Sequence, residues 1–136
     1  MKHLFVAMGL LASISVCPLL AQTIVLKGKV PFDFHVGSVD MPAGEYTVQQ
    51  SGSIVRVRTA EGRPVSAAYL TSPTRAPEAR RDGTMVFNRY GDEYFLTKVW
   101  IPKSTEGRAL PRSKREKELI SRAATVQTAS TRLERQ

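Results

Sequence analysis

The stretch VPFDFHVGSVDMPAGEYTV, Val30 to Val48, holds the strongest folding signal in the chain. Phe32, Phe34 and Val36 alternate with Asp33, His35 and Gly37, the two-residue period of a half-buried strand. Met41-Pro42-Ala43-Gly44 then reads as a tight turn, with Pro second and Gly fourth. Tyr46 and Val48 resume the alternation beyond it. The expectation is strand, turn, strand, with Phe32, Phe34, Tyr46 and Val48 facing a core.

Downstream, the same logic gives a series of hairpins. A loop at Ser51-Gly52 joins Glu45–Gln50 to Ser53–Ala60 and sets Val48 opposite Val55, Tyr46 opposite Val57, Thr47 opposite Arg56 and Glu45 opposite Arg58. A turn at Glu61-Gly62 with one extra residue brings Val65, Ala67 and Tyr69 onto the Val55/Val57 face. Thr71 to Gly83 holds Pro73, Pro77 and many charges without periodicity, and reads as a surface crossover loop. Gly91-Asp92 closes a hairpin between Thr84–Tyr90 and Glu93–Ile101, and Gly in the first loop position suits a type II′ turn. The second of these strands is apolar on both faces, Tyr94, Leu96 and Trp100 against Phe95, Val99 and Ile101, so both faces need cover.

Upstream, Thr23–Val30 reads as an opening strand, with Gly28 a candidate bulge and Pro31 a break. Residues 1–21 have a short basic start, an apolar run from Leu4 to Leu20 and a small residue, Ala21, at the cleavage position, the pattern of a secretory signal peptide. The run is short for a membrane span, which takes about 20 residues, and no transmembrane segment is expected once it is removed. Cys17, the chain's one cysteine, is flanked by Val16 and Pro18, which argue against lipidation. The mature chain is then expected to hold no disulfide and to lie in the periplasm or outside the cell.

The charge is uneven. The chain carries a formal net charge of +8, yet residues 22–107 hold 11 Lys/Arg against 9 Asp/Glu, and residues 108–136 hold 8 against 3. The basic excess therefore belongs mainly to the C-terminal segment. There, Ser113 with Glu116 matches a capping box and predicts a helix from Lys114, with Leu119, Ile120 and Ala123 as a narrow apolar stripe. Beyond Ala124 the polar residues read as a frayed tail. The domain plan is a signal peptide at 1–21, an antiparallel β domain at 22–107 and a basic helix with its tail at 108–136.

VPFDFHVGSVDMPAGEYTV, NRYGDEYFLTKVW and GRALPRSKREKEL, in this order behind a signal peptide, resemble a group of short exported bacterial proteins that carry no assigned activity. The resemblance spans roughly residues 30–120. It implies an exported β-rich domain and transfers no ligand, cofactor or catalytic residue.

Chemistry-bearing residues are sparse. After leader removal His35 is the one histidine, and Asp33 two residues away shares its strand face. The pair could orient an imidazole for general-base work in a hydrolase, but no nucleophile motif stands beside it. One His and no Cys do not make a zinc set, and no phosphate-cradling Gly loop is present, so no cofactor or metal is expected. Tyr90, Tyr94 and Trp100 form a candidate ligand platform, against the simpler reading that they are core. Arg112, Lys114, Arg115, Lys117 and Arg122 form a candidate contact for an anionic envelope surface. Nucleic acid is not expected as a partner of an exported chain.

The fold expectation is one antiparallel, hairpin-rich barrel or sandwich of about seven strands plus a C-terminal helix. The function expectation is an exported, non-enzymatic β module with a binding or structural role in the periplasm or cell envelope. The alternatives are a small-ligand-binding β-barrel, which needs an interior cavity, and a hydrolase that uses Asp33 and His35.

Overall fold

The computed structural model describes residues 23–61, 64–122 and 125–135. The expected signal peptide, with Cys17, lies outside the described residues, as does Gly62 of the Glu61-Gly62 turn. The chain folds into β1 (Thr23–Val30), β2 (Phe34–Val36), β3 (Val39–Met41), β4 (Gly44–Ser51), β5 (Ile54–Thr59), β6 (Ser66–Leu70), β7 (Ser72–Arg80), β8 (Gly83–Tyr90), β9 (Glu93–Trp100), β10 (Ser104–Ala109), helix α1 (Lys114–Ser121) and β11 (Val126–Arg135). The mainly β class with a C-terminal helix is as expected. The strand number is higher, because several polar stretches pair as strands.

One sheet runs in the order β3-β2-β9-β8-β11-β1-β4-β5-β6. Strand β10 pairs with β9 through Gly107↔Trp100 and with β7 through Gly107↔Thr74. Since β7 follows β6 after the single residue Thr71, the sheet curls back on itself into a nearly closed barrel. All of these pairings are antiparallel except β2 with β9, where His35 lies opposite Phe95. At the remaining seam, Tyr69 on β6 reaches the β2–β3 turn. Its hydroxyl accepts from the Ser38 N–H at 3.0 Å and lies 3.2 Å from Ser38 Oγ.

The opening stretch contains one more hairpin than its pattern suggests. Val36 pairs with Val39 around Gly37-Ser38, and Gly37 has φ +57°, a left-handed value that glycine adopts at little cost. The chain is therefore strand, turn, strand, turn, strand. Phe34, Tyr46 and Val48 are buried as expected, and Phe32 is half-buried against the core. The Tyr46 hydroxyl donates to the carbonyl of Pro42, the local geometry of a tyrosine corner. Burial, followed by the negative charge of Asp33, pushes the Tyr46 pKa up to about 12.

The β4–β5 hairpin forms, but two residues away from the expected register. Val48 faces Val57, Tyr46 faces Thr59 and Thr47 faces Arg58, around a Gly52-Ser53 loop. Gly52 has φ +58°, and a type II′ loop wants Gly first; that preference moves the loop by one position. A two-residue shift preserves the faces, so the core is unchanged while the expected Glu45–Arg58 pair is lost. Glu45 instead lies 3.7 Å from Lys27. The next hairpin matches expectation, with Val55 opposite Tyr69 and Val57 opposite Ala67.

Two stretches read as irregular are strands. Residues 72–80, expected as a crossover loop, pair with β10, and the register slips between Glu106↔Arg75 and Ser104↔Arg80. Pro77 falls in that slip, and Pro73 sits on a strand with a single neighbour, the two places where a sheet tolerates a missing N–H. The expected frayed tail is β11. It lies between β8 and β1, pairs with β8 from Val126↔Tyr90 to Leu133↔Gly83, and buries Leu133.

The interior is occupied by side chains. Phe34 packs edge-on against Tyr46 and Phe87, with ring centroids 5.0 and 5.2 Å apart. Leu26, Met85, Val48, Val57 and Leu133 fill the space around them.

Candidate functional site

The outer face of β9 is where the sequence candidates meet. Between Val86↔Lys98 and Phe87↔Leu96 the β8–β9 register slips by one residue and leaves Thr97 as a bulge. Thr97 Oγ1 donates to the Val86 carbonyl at 3.0 Å, and the Thr97 carbonyl accepts from the Leu110 N–H at 2.8 Å. The bulge resets the alternation, so Leu96 and Val99 both enter the core. Phe95 and Trp100 then lie on the outer side, which corrects the expected grouping of Tyr94, Leu96 and Trp100 on one face. Both sides of β9 are covered, as an all-apolar strand requires.

The cover over Phe95 comes from β2 and α1. The His35 imidazole stacks on Phe95 at 4.7 Å, and the Tyr90 ring meets it edge-on at 5.8 Å. His35 Nδ1–H donates to Asp40 Oδ1 at 2.5 Å, and His35 Nε2 lies 3.7 Å from Glu93 Oε1. Glu93 in turn takes a forked pair of bonds from Arg115, Nε at 3.2 Å and Nη2 at 3.0 Å. These contacts raise the Arg115 pKa. His35, Ser38, Phe95, Lys114 and Glu118 line a cleft of about 370 Å³ between the β2–β3 turn and the helix.

Asp33 does not belong to this cluster. Its Oδ1 accepts from the Ala43 N–H at 2.8 Å and so holds the turn before β4. His35 has Asp40 as its carboxylate partner instead, a residue five positions on that the β2–β3 hairpin brings opposite it. The Asp33/His35 dyad is therefore not assembled, and the nearby Ser38 is engaged with Tyr69.

The helix starts as expected. Ser113 Oγ accepts from the Glu116 N–H at 3.1 Å. The Glu116 side chain, however, does not turn back to complete a capping box. It points under the helix and is 2% exposed. Its Oε1 accepts from Tyr90 Oη at 3.1 Å and from Asn88 Nδ2 at 3.5 Å. Burial, then the Glu116 charge, pushes the Tyr90 pKa up. Leu119 and Ile120 are half-buried, so the helix is docked by a carboxylate more than by its apolar stripe. Ala123 lies outside the described residues.

The three aromatic candidates do not form a platform. Tyr90 is buried under the helix. Tyr94 stacks on Phe32 at 3.8 Å beneath Arg89. Trp100 is covered by the Arg80 guanidinium, 4.8 Å from its ring, and by Gly107, where a Cβ would come within 2.5 Å of the indole. Among the basic candidates Arg115 is held by Glu93, while Arg112, Lys114, Lys117 and Arg122 are exposed. Sequence reasoning missed Asp40, Glu93 and Glu116 as structural partners, since each becomes one only through pairing across strands or a helix. Among the described residues no cluster of metal-ligating side chains occurs, and no helix is long and apolar enough to cross a membrane. No family model, curated protein or solved structure matches the chain.

Proposed function

We propose that this chain is an exported, non-enzymatic β module that acts in the periplasm or cell envelope through its outer surface, by binding or bracing a neighbour. The observation that carries this reading is the filled interior. Phe34, Tyr46, Phe87 and Met85 occupy the space in which a ligand-carrying barrel keeps its cavity. That packing counts against the ligand-binding alternative. The separate engagement of Asp33 with Ala43 and of His35 with Asp40 counts against a hydrolase built on that pair.

Export rests on the residue pattern of positions 1–21. The test is to express the full chain in a Gram-negative host, separate periplasm from cytosol, and sequence the N-terminus of the recovered protein. The proposal expects a mature chain beginning at Gln22 in the periplasmic fraction. A chain that keeps Met1 and stays in the cytosol would overturn it.

A further inference from the structure

The outer face of β1, β4, β5 and β6 is a cationic lattice with an apolar end. Register places Lys27, Thr47, Arg58 and Ser66 in one cross-strand row. The next row is Val25, Gln49, Arg56 and Ala68, and the last ends in Ile54 beside Leu70. Arg56 and Arg58 stand two residues apart on one strand, about 7 Å along it. Neither they nor Lys29 has an ion-pair partner among the described residues; of the carboxylates on this side of the sheet, Glu45 is engaged by Lys27, and Glu134 on β11 stands opposite Lys27 at the far edge from the arginines.

The apolar end is as informative as the charge. Among the described residues three large apolar side chains are exposed, and two of them, Ile54 at 47% and Leu70 at 72%, are direct cross-strand partners. Burying neither in the core leaves them as neighbours at the rim of an arginine-bearing face. A soluble polyanion would satisfy the arginines and leave this pair in water. A bilayer with anionic headgroups satisfies both, since phosphates meet the guanidinium groups while Ile54 and Leu70 enter the acyl boundary. A second copy related by a two-fold axis would set cation against cation.

We infer that the β4–β6 outer face, through Arg56, Arg58, Ile54 and Leu70, docks on the surface of an anionic phospholipid bilayer. This rests on the envelope reading above and names its surface. It also moves the contact away from the helix, where Arg115 is already committed to Glu93.

Sedimentation with vesicles tests the assignment. The probes are vesicles of phosphatidylcholine with phosphatidylglycerol and vesicles of phosphatidylcholine alone, at low and high salt, with the mature chain. The intact protein is expected to pellet with the anionic vesicles only, and less at high salt. Arg56→Glu with Arg58→Glu is expected to reduce partitioning by about tenfold or more, and Ile54→Ser with Leu70→Ser to weaken it at both salt levels. Lys114→Glu with Lys117→Glu makes the same change in net charge on the helix and is expected to leave partitioning near the parent value. Should the double glutamate variant fail to fold, Arg56→Gln with Arg58→Gln reads the same face with a smaller loss. No pelleting of the intact protein, a loss that follows the helix variant, or a dimer dispersed by Ile54→Ser with Leu70→Ser would each overturn the inference. None of these outcomes bears on the mature N-terminus, which tests export separately.

Discussion

Tyr90 Oη donates to Glu116 Oε1 across 3.1 Å and ties strand β8 to helix α1 through a carboxylate that is 2% exposed. A charge this deep is tolerated only when its oxygens are hydrogen-bonded. The account predicts that Tyr90→Phe, which leaves that carboxylate with Asn88 alone, destabilises the protein by about 1.5–3 kcal/mol. Urea unfolding followed by circular dichroism measures this. A change of a few tenths would mean that the helix is held by other contacts.

Leu133 is buried where β11 lies between β1 and β8, with Gly28 and Gly83 as its paired neighbours. A Cβ at Gly28 would come within 2.6 Å of the Leu133 side chain, so the two residues are fitted to each other. Leu133→Ala is expected to cost about 2–5 kcal/mol, and ending the chain after Thr125 to abolish cooperative thermal unfolding. Exposed Ser130→Ala should be near neutral. A truncated chain that still melts cooperatively would contradict the central place of β11.

At the seam, Gly37 combines a φ of +57° with a Tyr69 ring that stands where a Cβ would sit. Gly37→Ala therefore meets strain and a clash together. It should lower stability by more than the roughly 1 kcal/mol expected for Tyr69→Phe, which removes only the Ser38 hydrogen bonds. The double variant should recover little, because the phenylalanine ring still fills the space. Melting temperatures of the three variants decide it, and an alanine variant as stable as the parent would mean the seam opens freely.

Tyr46 and Tyr90 give a pH dependence with a definite sign. Both hydroxyls have folded pKa values raised above the ordinary 10, Tyr46 to about 12. The folded state therefore holds protons that the unfolded chain releases. The Tyr46 contribution is complete below pH 10 and is lost as pH rises from about 10 towards 12, by up to roughly 2 kcal/mol, and that of Tyr90 is lost in the same direction above pH 10. Stability measured across that range should fall, and fall less steeply in Tyr46→Phe. Equal slopes in both proteins would refute the assignment.

Much of this fold is legible in the residues. Gly91-Asp92, with the Val55/Val57 and Ala67/Tyr69 alternation, carries turn chemistry and hydrophobic period in agreement; the β5–β6 hairpin forms in the expected register, and the β8–β9 hairpin does so from its turn to Phe87↔Leu96, beyond which the Thr97 bulge shifts it by one residue. The β4–β5 loop is displaced because Gly52 takes the first loop position, a preference readable at Gly91 by the same rule. Strands β7 and β11 are not legible for a physical reason. One has a single neighbour and carries its prolines at the edge and in a register slip. The other buries one large side chain, Leu133, and is held mainly by backbone pairing that leaves no mark on side-chain pattern. The candidate site is less legible still. Asp33 and His35 are adjacent in pattern but separate in partners: His35 meets Asp40 and Glu93 from β3 and β9, Asp33 takes the Ala43 N–H, and Glu116 on the helix meets Tyr90.

The filled interior is the claim on which the functional account stands, and titration with 1-N-phenylnaphthylamine, a neutral dye that brightens in apolar cavities, tests it most directly. With the folded mature protein the account predicts no saturable rise in fluorescence at any protein concentration below aggregation. A saturable one-to-one rise, competed by a fatty acid and lost on unfolding, would reveal an interior cavity and contradict it.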